Sequence, residues 1–191
     1  MDELNAATDV AHQKGYKVSD GGLTGVPLSL MVWKDYWDRG LKNAADDFAR
    51  RVFSPQSKAS SIYDQLPSSA YPNRPFPPAA SDIVNRYNWT VQAVSALKST
   101  QVDFVNFHWY LDDAKGFGEV ADYLRRVTAK PVISNEVGSG SDSPATVTAL
   151  MQKALDEHMA YFNWFSEDIN IKGSVATGGA DAGEQAKSAK P

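Results

Sequence analysis

The chain has 191 residues, with 19 Lys+Arg against 23 Asp+Glu and a formal net charge of −4. This length suffices for one domain with a substantial core, or for two small ones. The mild acidity argues against a nucleic-acid partner, which would require a basic patch. The absence of cysteine excludes disulfides, a thiol nucleophile and a cysteine-ligated zinc site.

The sequence also bears on membranes and export. No apolar run is long enough to span a membrane. The start of the chain lacks the charged and apolar segments of a signal peptide. We therefore expect a soluble protein of unknown location, which is compatible with a secreted parent protein.

The first part of the chain predicts a helix, a short strand and a longer helical region. Apolar residues at helical spacing indicate a helix over residues 2–14. Residues 16–19 are typical of a short strand, and residues 28–53 of helix that Gly40 breaks into two pieces.

A proline-rich segment follows. Residues 54–79 contain six of the ten prolines. Proline fixes φ and removes a backbone donor, so this segment cannot form a long helix or a central strand. We expect a long loop, inserted into the regular pattern around it.

The remainder alternates between helical and strand patterns before a tail rich in Gly, Ala and Ser, which we expect to be disordered. The predicted order is helix 82–98, strand 101–110, helix 116–128, strand 132–137, helix 144–158, strand 161–165 and tail 173–191.

Strand beginnings in this region recur about every 29 residues, with one helix in each interval, as in parallel α/β proteins. A (β/α)8 barrel uses roughly 250 residues for eight such units. The four strands predicted here therefore suggest half of a barrel over residues 1–172. A small doubly wound sheet is the alternative fold.

Polar residues occupy one face of strand 101–110. Asn106, His108 and Tyr110 alternate with apolar residues, so their side chains point to the same side. Parallel barrels have their active sites at the carboxyl ends of the strands. A strand-capping role for His108 and Tyr110 is equally compatible with the pattern.

Glu136 and Trp164 lie near the ends of the next two predicted strands. Glu136 terminates an apolar strand, where a carboxylate is costly to bury without a partner, so its position favours a functional role over a solvated loop glutamate. Simple alternation places Glu136 on the same face as Ser134. Trp164 lies on the last strand, where an indole can form a flat platform for a sugar ring. Taken alone, a tryptophan at such a position is more often part of the core.

These strands resemble a known group. His108-Trp109-Tyr110, residues 131–138 with their glutamate, and Asn163-Trp164-Phe165 are similar to strands six, seven and eight of the retaining (β/α)8 glycoside hydrolases of the cellulase-like superfamily. The resemblance covers roughly residues 2–168. It implies a TIM-barrel enzyme represented by strands five to eight, acting on a carbohydrate substrate, with no cofactor.

The resemblance also implies individual roles. Glu136 matches the catalytic nucleophile, Tyr110 the residue that orients it, and His108 a substrate contact. Trp164 matches the floor of the sugar subsite. The other substrate contacts that we expect are Asn106, Asn135 and Trp33.

Several alternatives stay open. The superfamily's acid/base glutamate follows an asparagine on strand four, which precedes the residues given, so the isolated chain is expected to be catalytically impaired. Asn135-Glu136 could instead be that acid/base pair. The domain could also be a non-catalytic carbohydrate-binding module, or a half barrel that forms a homodimer through its open sheet edges. The three histidines lack metal-ligand spacing, so no metal site is predicted.

Overall fold

The computed structural model describes residues 2–53, 60–79, 81–139 and 143–165. Within them lies one sheet of four parallel strands with the order β1-β2-β3-β4. The elements in chain order are α1 (Asp2–Gln13), β1 (Leu23–Thr24), α2 (Gly25–Asp38), α3 (Lys42–Val52), α4 (Ser60–Tyr63), α5 (Ser81–Leu97), β2 (Val105–Trp109), α6 (Ala114–Thr128), β3 (Val132–Val137), α7 (Pro144–Asp156) and β4 (Phe162–Trp164).

The predicted alternation of helices and parallel strands is confirmed, and the protein is mixed α/β. Gly40 separates α2 from α3 and has φ +75°, a backbone conformation that glycine adopts without steric cost. The predicted tail over 173–191 and the domain boundary at residue 172 lie outside the described residues.

The first strand differs most from the prediction. Residues 16–19 form no strand, apart from one isolated bridge between Ser19 and Phe104. The chain turns at Gly22, which has φ +101°, and pairing with β2 resumes only at Leu23–Thr24. An interrupted ladder of this kind has no alternating apolar pattern that the sequence could reveal.

The proline-rich region also departs slightly from the prediction. It contains one helical turn, α4, and a cis peptide bond between Phe76 and Pro77. The rest of its described residues form turns, bends and irregular backbone, as the prolines require.

The core lies between the sheet and the helices behind it. Phe107 and Trp109 of β2 are completely buried, and both rings contact Phe117 of α6. Helix α6 in turn packs against α7 and α2. Because side chains alternate along a strand, the polar side chains of β2 point to the face opposite these buried rings.

Candidate active site

The polar face of β2 meets the end of β3 through an irregularity in their pairing. Asn106 is in register with Ile133, whereas His108 is in register with Glu136. Strand β3 therefore has one residue more than β2 over this interval, which is a β-bulge. Without the bulge, His108 would be in register with Asn135, and the Glu136 side chain would point to the opposite face of the sheet from His108. The bulge therefore brings Glu136 next to His108. The sequence analysis placed Glu136 on the same face of the strand as Ser134 by simple alternation. The bulge interrupts that alternation, so the prediction does not explain why Glu136 faces His108.

The Glu136 carboxylate is held from two sides. The Tyr110 hydroxyl donates a hydrogen bond to Oε1. His108 Nδ1 lies 3.1 Å from Oε2. The side chain of Glu136 is still 30% exposed. The structure thus brings together the three residues predicted to be catalytic, around a carboxylate that remains accessible.

Glycine residues flank both partners of Glu136. A Cβ atom at Gly22 would lie only 2.1 Å from His108 Nε2, and one at Gly138 would lie 2.7 Å from Cε1 of Tyr110. Only a residue without a side chain allows these close approaches. The two glycines therefore fix the space in which the imidazole and phenol rings sit.

A partly buried carboxyl group, that of Asp20, also supports this arrangement. Asp20 Oδ1 accepts from the Asn106 backbone N–H at 2.6 Å, and Oδ2 accepts from the Gly22 N–H at 3.1 Å. Burial raises the pKa of Asp20 above its usual range, while these backbone donors oppose the rise. Because both oxygens are engaged by backbone donors, Asp20 positions the turn beside His108.

Asn106 has a different place from the one predicted. It is completely buried, its Nδ2 donates to Asn135 Oδ1 at 2.8 Å, and its Oδ1 accepts from the Asn135 backbone N–H at 3.1 Å. Both ends of its amide are thereby occupied. Asn106 is therefore not a substrate contact in this conformation but a residue that anchors Asn135, which is itself exposed.

Trp33 is also displaced from its predicted role. It lies in α2 with no exposed surface and stacks on Trp37 and Phe76, with ring centroids 5.3 and 5.0 Å away. A fully buried ring offers no surface to a sugar, so Trp33 belongs to the core. The sequence pattern predicted that the first strand ends at residue 19. In the structure β1 ends at Thr24, directly before the helix that carries Trp33.

Trp164 lies at the end of β4, in register with Val137, and is partly buried. Its neighbour Asn163 donates from Nδ2 to the Asn135 carbonyl at 3.1 Å. Trp164 is thus carried by the strand next to the one that carries Glu136.

The sequence pattern did not single out Asp20, Gly22 or Gly138 as parts of this site. Asp20-Gly21-Gly22 is a recognisable turn signal, but the residue that packs against such a turn is 86 positions away and leaves no local trace. The described residues contain no cluster of three or more potential metal ligands, and none of their helices has the length and apolarity needed to cross a membrane.

The fold and site thus define a parallel α/β protein with an accessible carboxylate held at the end of one strand by groups from its neighbour. A family model described as the glycosyl hydrolase catalytic core matches residues 36–178. The chain belongs to this family and is a glycoside hydrolase, whose substrates are carbohydrates. No curated protein and no solved structure matched the chain.

Proposed function

We propose that the chain provides the nucleophile of a retaining glycoside hydrolase and that this nucleophile is Glu136. The observation that carries the proposal is the placement of its carboxylate, which receives the Tyr110 hydroxyl on one oxygen and faces His108 Nδ1 on the other. Two oriented partners hold a carboxylate in a single attacking geometry, which lowers the entropic cost of reaching the transition state.

In the first step, an oxygen of Glu136 attacks the anomeric carbon as the bond to the leaving-group oxygen breaks. The negative charge leaves the carboxylate during this step, and a proton is delivered to the leaving group. In the second step, water attacks the anomeric carbon as its bond to Glu136 breaks. The group that protonated the leaving group now takes a proton from this water, and Glu136 returns to the free carboxylate. The Tyr110 hydroxyl orients the nucleophile, and Trp164 provides an apolar platform for the sugar.

We further propose that the sheet is part of a (β/α)8 barrel and corresponds to its strands five to eight. Each strand lies next to the one that follows it in sequence, and all are parallel. A barrel winds continuously in one direction, whereas a doubly wound sheet reverses its order at a switch point. The observed order therefore favours the barrel. Residues 1–172 are proposed as this domain, interrupted by the proline-rich insertion.

A carboxyl group must protonate the leaving group, and we propose that Asp20, the carboxyl group beside His108, does not do so. The Asp20 oxygens accept hydrogen bonds from backbone N–H groups of two segments, and a general acid must keep its proton directed at the leaving group. Substrates with a dinitrophenol leaving group need no such proton, so they report on Glu136 alone.

The test uses Glu136→Ala, a panel of dinitrophenyl glycosides and added azide. If Glu136 is the nucleophile, azide fills the space that the carboxylate vacates and displaces dinitrophenol directly. The product is then a glycosyl azide of inverted configuration, which NMR identifies. Glu136→Ala without azide should be inactive.

The opposite stereochemistry would contradict this role. If Glu136 were the acid/base, another carboxylate would form the glycosyl-enzyme in Glu136→Ala, and azide would then attack that intermediate. The glycosyl azide would retain the configuration of the substrate. Undiminished hydrolysis by Glu136→Ala would exclude both roles.

A further inference from the structure

The proline-rich segment and helix α3 together line a partly open cavity of about 360 Å³. Helix α3 contributes Asp46 and Arg50 to its lining, and the segment contributes Tyr63, Tyr71 and Arg74. None of these residues takes part in the arrangement around Glu136. The cavity is thus formed by other residues than those around Glu136, and the catalytic proposal gives no role to the segment that builds it.

The walls of this cavity are held by specific contacts. The Ser69 backbone N–H donates to both carboxylate oxygens of Asp46, at 3.3 and 3.2 Å, which ties the segment to α3. The Arg74 guanidinium lies over the Tyr71 ring, 4.3 Å from its centroid, and also donates to the Leu66 carbonyl at 3.2 Å. A wall fixed in this way loses little entropy when a ligand binds.

The lining combines flat aromatic surface with polar groups of both signs. Tyr71 is 59% exposed and Tyr63 is 36% exposed. Two carboxylates, Asp46 and Asp64, stand against two guanidinium groups, Arg50 and Arg74, so their formal charges cancel. Aromatic faces pack against the C–H faces of sugar rings, and charged side chains of both signs can hydrogen-bond to hydroxyl groups.

We infer that this cavity is a secondary binding site for a neutral oligosaccharide segment, separate from the site at Glu136. Such a site would hold a part of a polysaccharide that extends beyond the catalytic residues. Arg51, next to Arg50 on α3, pairs with Asp113 at 2.5 Å, and Asp113 caps α6 just after strand β2. The assignment of polysaccharide as ligand rests on the proposed glycosidase function.

The test measures retardation of the full chain in native gels that contain one soluble polysaccharide each. The neutral probes are hydroxyethyl cellulose, laminarin, galactomannan and arabinoxylan, and the anionic probe is polygalacturonate. Every variant carries Glu136→Gln, so that the polymer is not cut. We expect a neutral polymer to retard this parent, and Tyr71→Ala and Tyr63→Ala to weaken its binding about three- to tenfold.

Two controls separate lost contact from lost folding. Tyr71→Phe keeps the ring and should bind as the parent does. Tyr16→Ala removes a tyrosine that is 69% exposed and does not line the cavity, so it should leave binding unchanged.

Three results would overturn the inference: no neutral polymer retards the parent, polygalacturonate alone does so, or Tyr71→Ala and Tyr16→Ala bind equally. These outcomes are independent of the catalytic role of Glu136. Failure of that role would appear as activity retained in Glu136→Gln, without changing the difference between the tyrosine variants.

Discussion

The two oxygens of Glu136 face two partners, His108 of β2 and Tyr110 directly after that strand, and each partner lies against a glycine. Tyr110 donates to Oε1, and His108 faces Oε2. Gly22 and Gly138 leave room for the two rings. At the scale of single residues, the proposed chemistry therefore depends on the Tyr110 hydroxyl, the His108 imidazole and the lack of a side chain at two glycines.

Replacement of Tyr110 by Phe removes the donor to Glu136 without removing the ring. A hydrogen bond to a charged group contributes about 1.5–3 kcal/mol, so we expect kcat/KM to fall about ten- to hundredfold on a dinitrophenyl glycoside. Steady-state kinetics measure this effect. Tyr16→Phe, at an exposed tyrosine, serves as the control, and a Tyr110→Phe activity within twofold of wild type would contradict the role of the hydroxyl.

Replacement of Gly22 by Ala should displace the His108 imidazole. The new Cβ would lie 2.1 Å from Nε2, and the backbone there has φ +101°. We expect a loss of about 1–3 kcal/mol in the free energy of unfolding and a fall in kcat. Gly21→Ala is a matched control, because a Cβ at that position meets nothing within 4 Å. Equal melting temperatures and equal kcat values for the two variants would show that the contact does not position His108.

At the scale of elements, α1 is joined to the segment before β2 through Asp103. The carboxylate of Asp103 pairs with Lys17 at 2.7 Å and with His12 at 2.8 Å, and it accepts from the Val18 backbone N–H at 2.8 Å. The hydrogen bond from Lys17, followed by that from His12, holds the pKa of Asp103 well below its usual range. This junction connects the first helix to the strand that carries His108.

The lowered pKa has a direct consequence for acid stability. A carboxylate whose pKa is depressed by folding stabilises the native state above its unfolded pKa of about 3.9, and loses that contribution as the pH falls towards the folded value. Asp103→Asn should therefore be less stable than wild type at pH 6 and approach it below about pH 4. Chemical denaturation across this range measures the difference.

Asp9→Asn provides the matched control for this junction. Asp9 is exposed on α1 and has no partner among the residues that the structure describes. Its replacement should not change the pH dependence. A constant stability difference between Asp103→Asn and wild type from pH 6 to pH 3 would contradict the predicted linkage.

Most elements could be predicted from the sequence because their patterns are local. Strand β3 spans Val132–Val137 as expected, and α5 and α6 differ from expectation by one or two residues at their ends. The meeting of Glu136 with His108 could be expected only from the family resemblance, because it depends on a bulge set by pairing between distant segments. The burial of Trp33 and Asn106 depends likewise on tertiary contacts that no local pattern encodes.

At the scale of the whole molecule, the described sheet has two outer strands, β1 and β4. Strand edges present unpaired backbone groups that favour pairing with another chain. Tyr161, the residue before β4, is 53% exposed, and Leu155 of α7 is 70% exposed, so both present apolar surface to solvent. These features support the prediction of a homodimer that joins two half barrels.

Light scattering coupled to size exclusion tests this prediction. We expect a mass that rises towards the dimer with concentration, and we expect Leu155→Lys to shift it towards the monomer. The control Tyr16→Lys places the same charge at an exposed site on a different part of the surface. A monomeric mass for wild type at all concentrations would exclude dimerisation through the sheet edges.

The most direct test of the central claim is covalent trapping of Glu136. Dinitrophenyl 2-deoxy-2-fluoro glycosides slow both steps of a retaining reaction but keep a leaving group that departs readily, so the glycosyl-enzyme accumulates. We predict that intact-mass analysis shows the addition of one fluoroglycosyl unit, that peptide mapping places it on Glu136, and that Glu136→Gln shows none. Labelling of another carboxylate, or equal labelling of Glu136→Gln, would contradict the assignment.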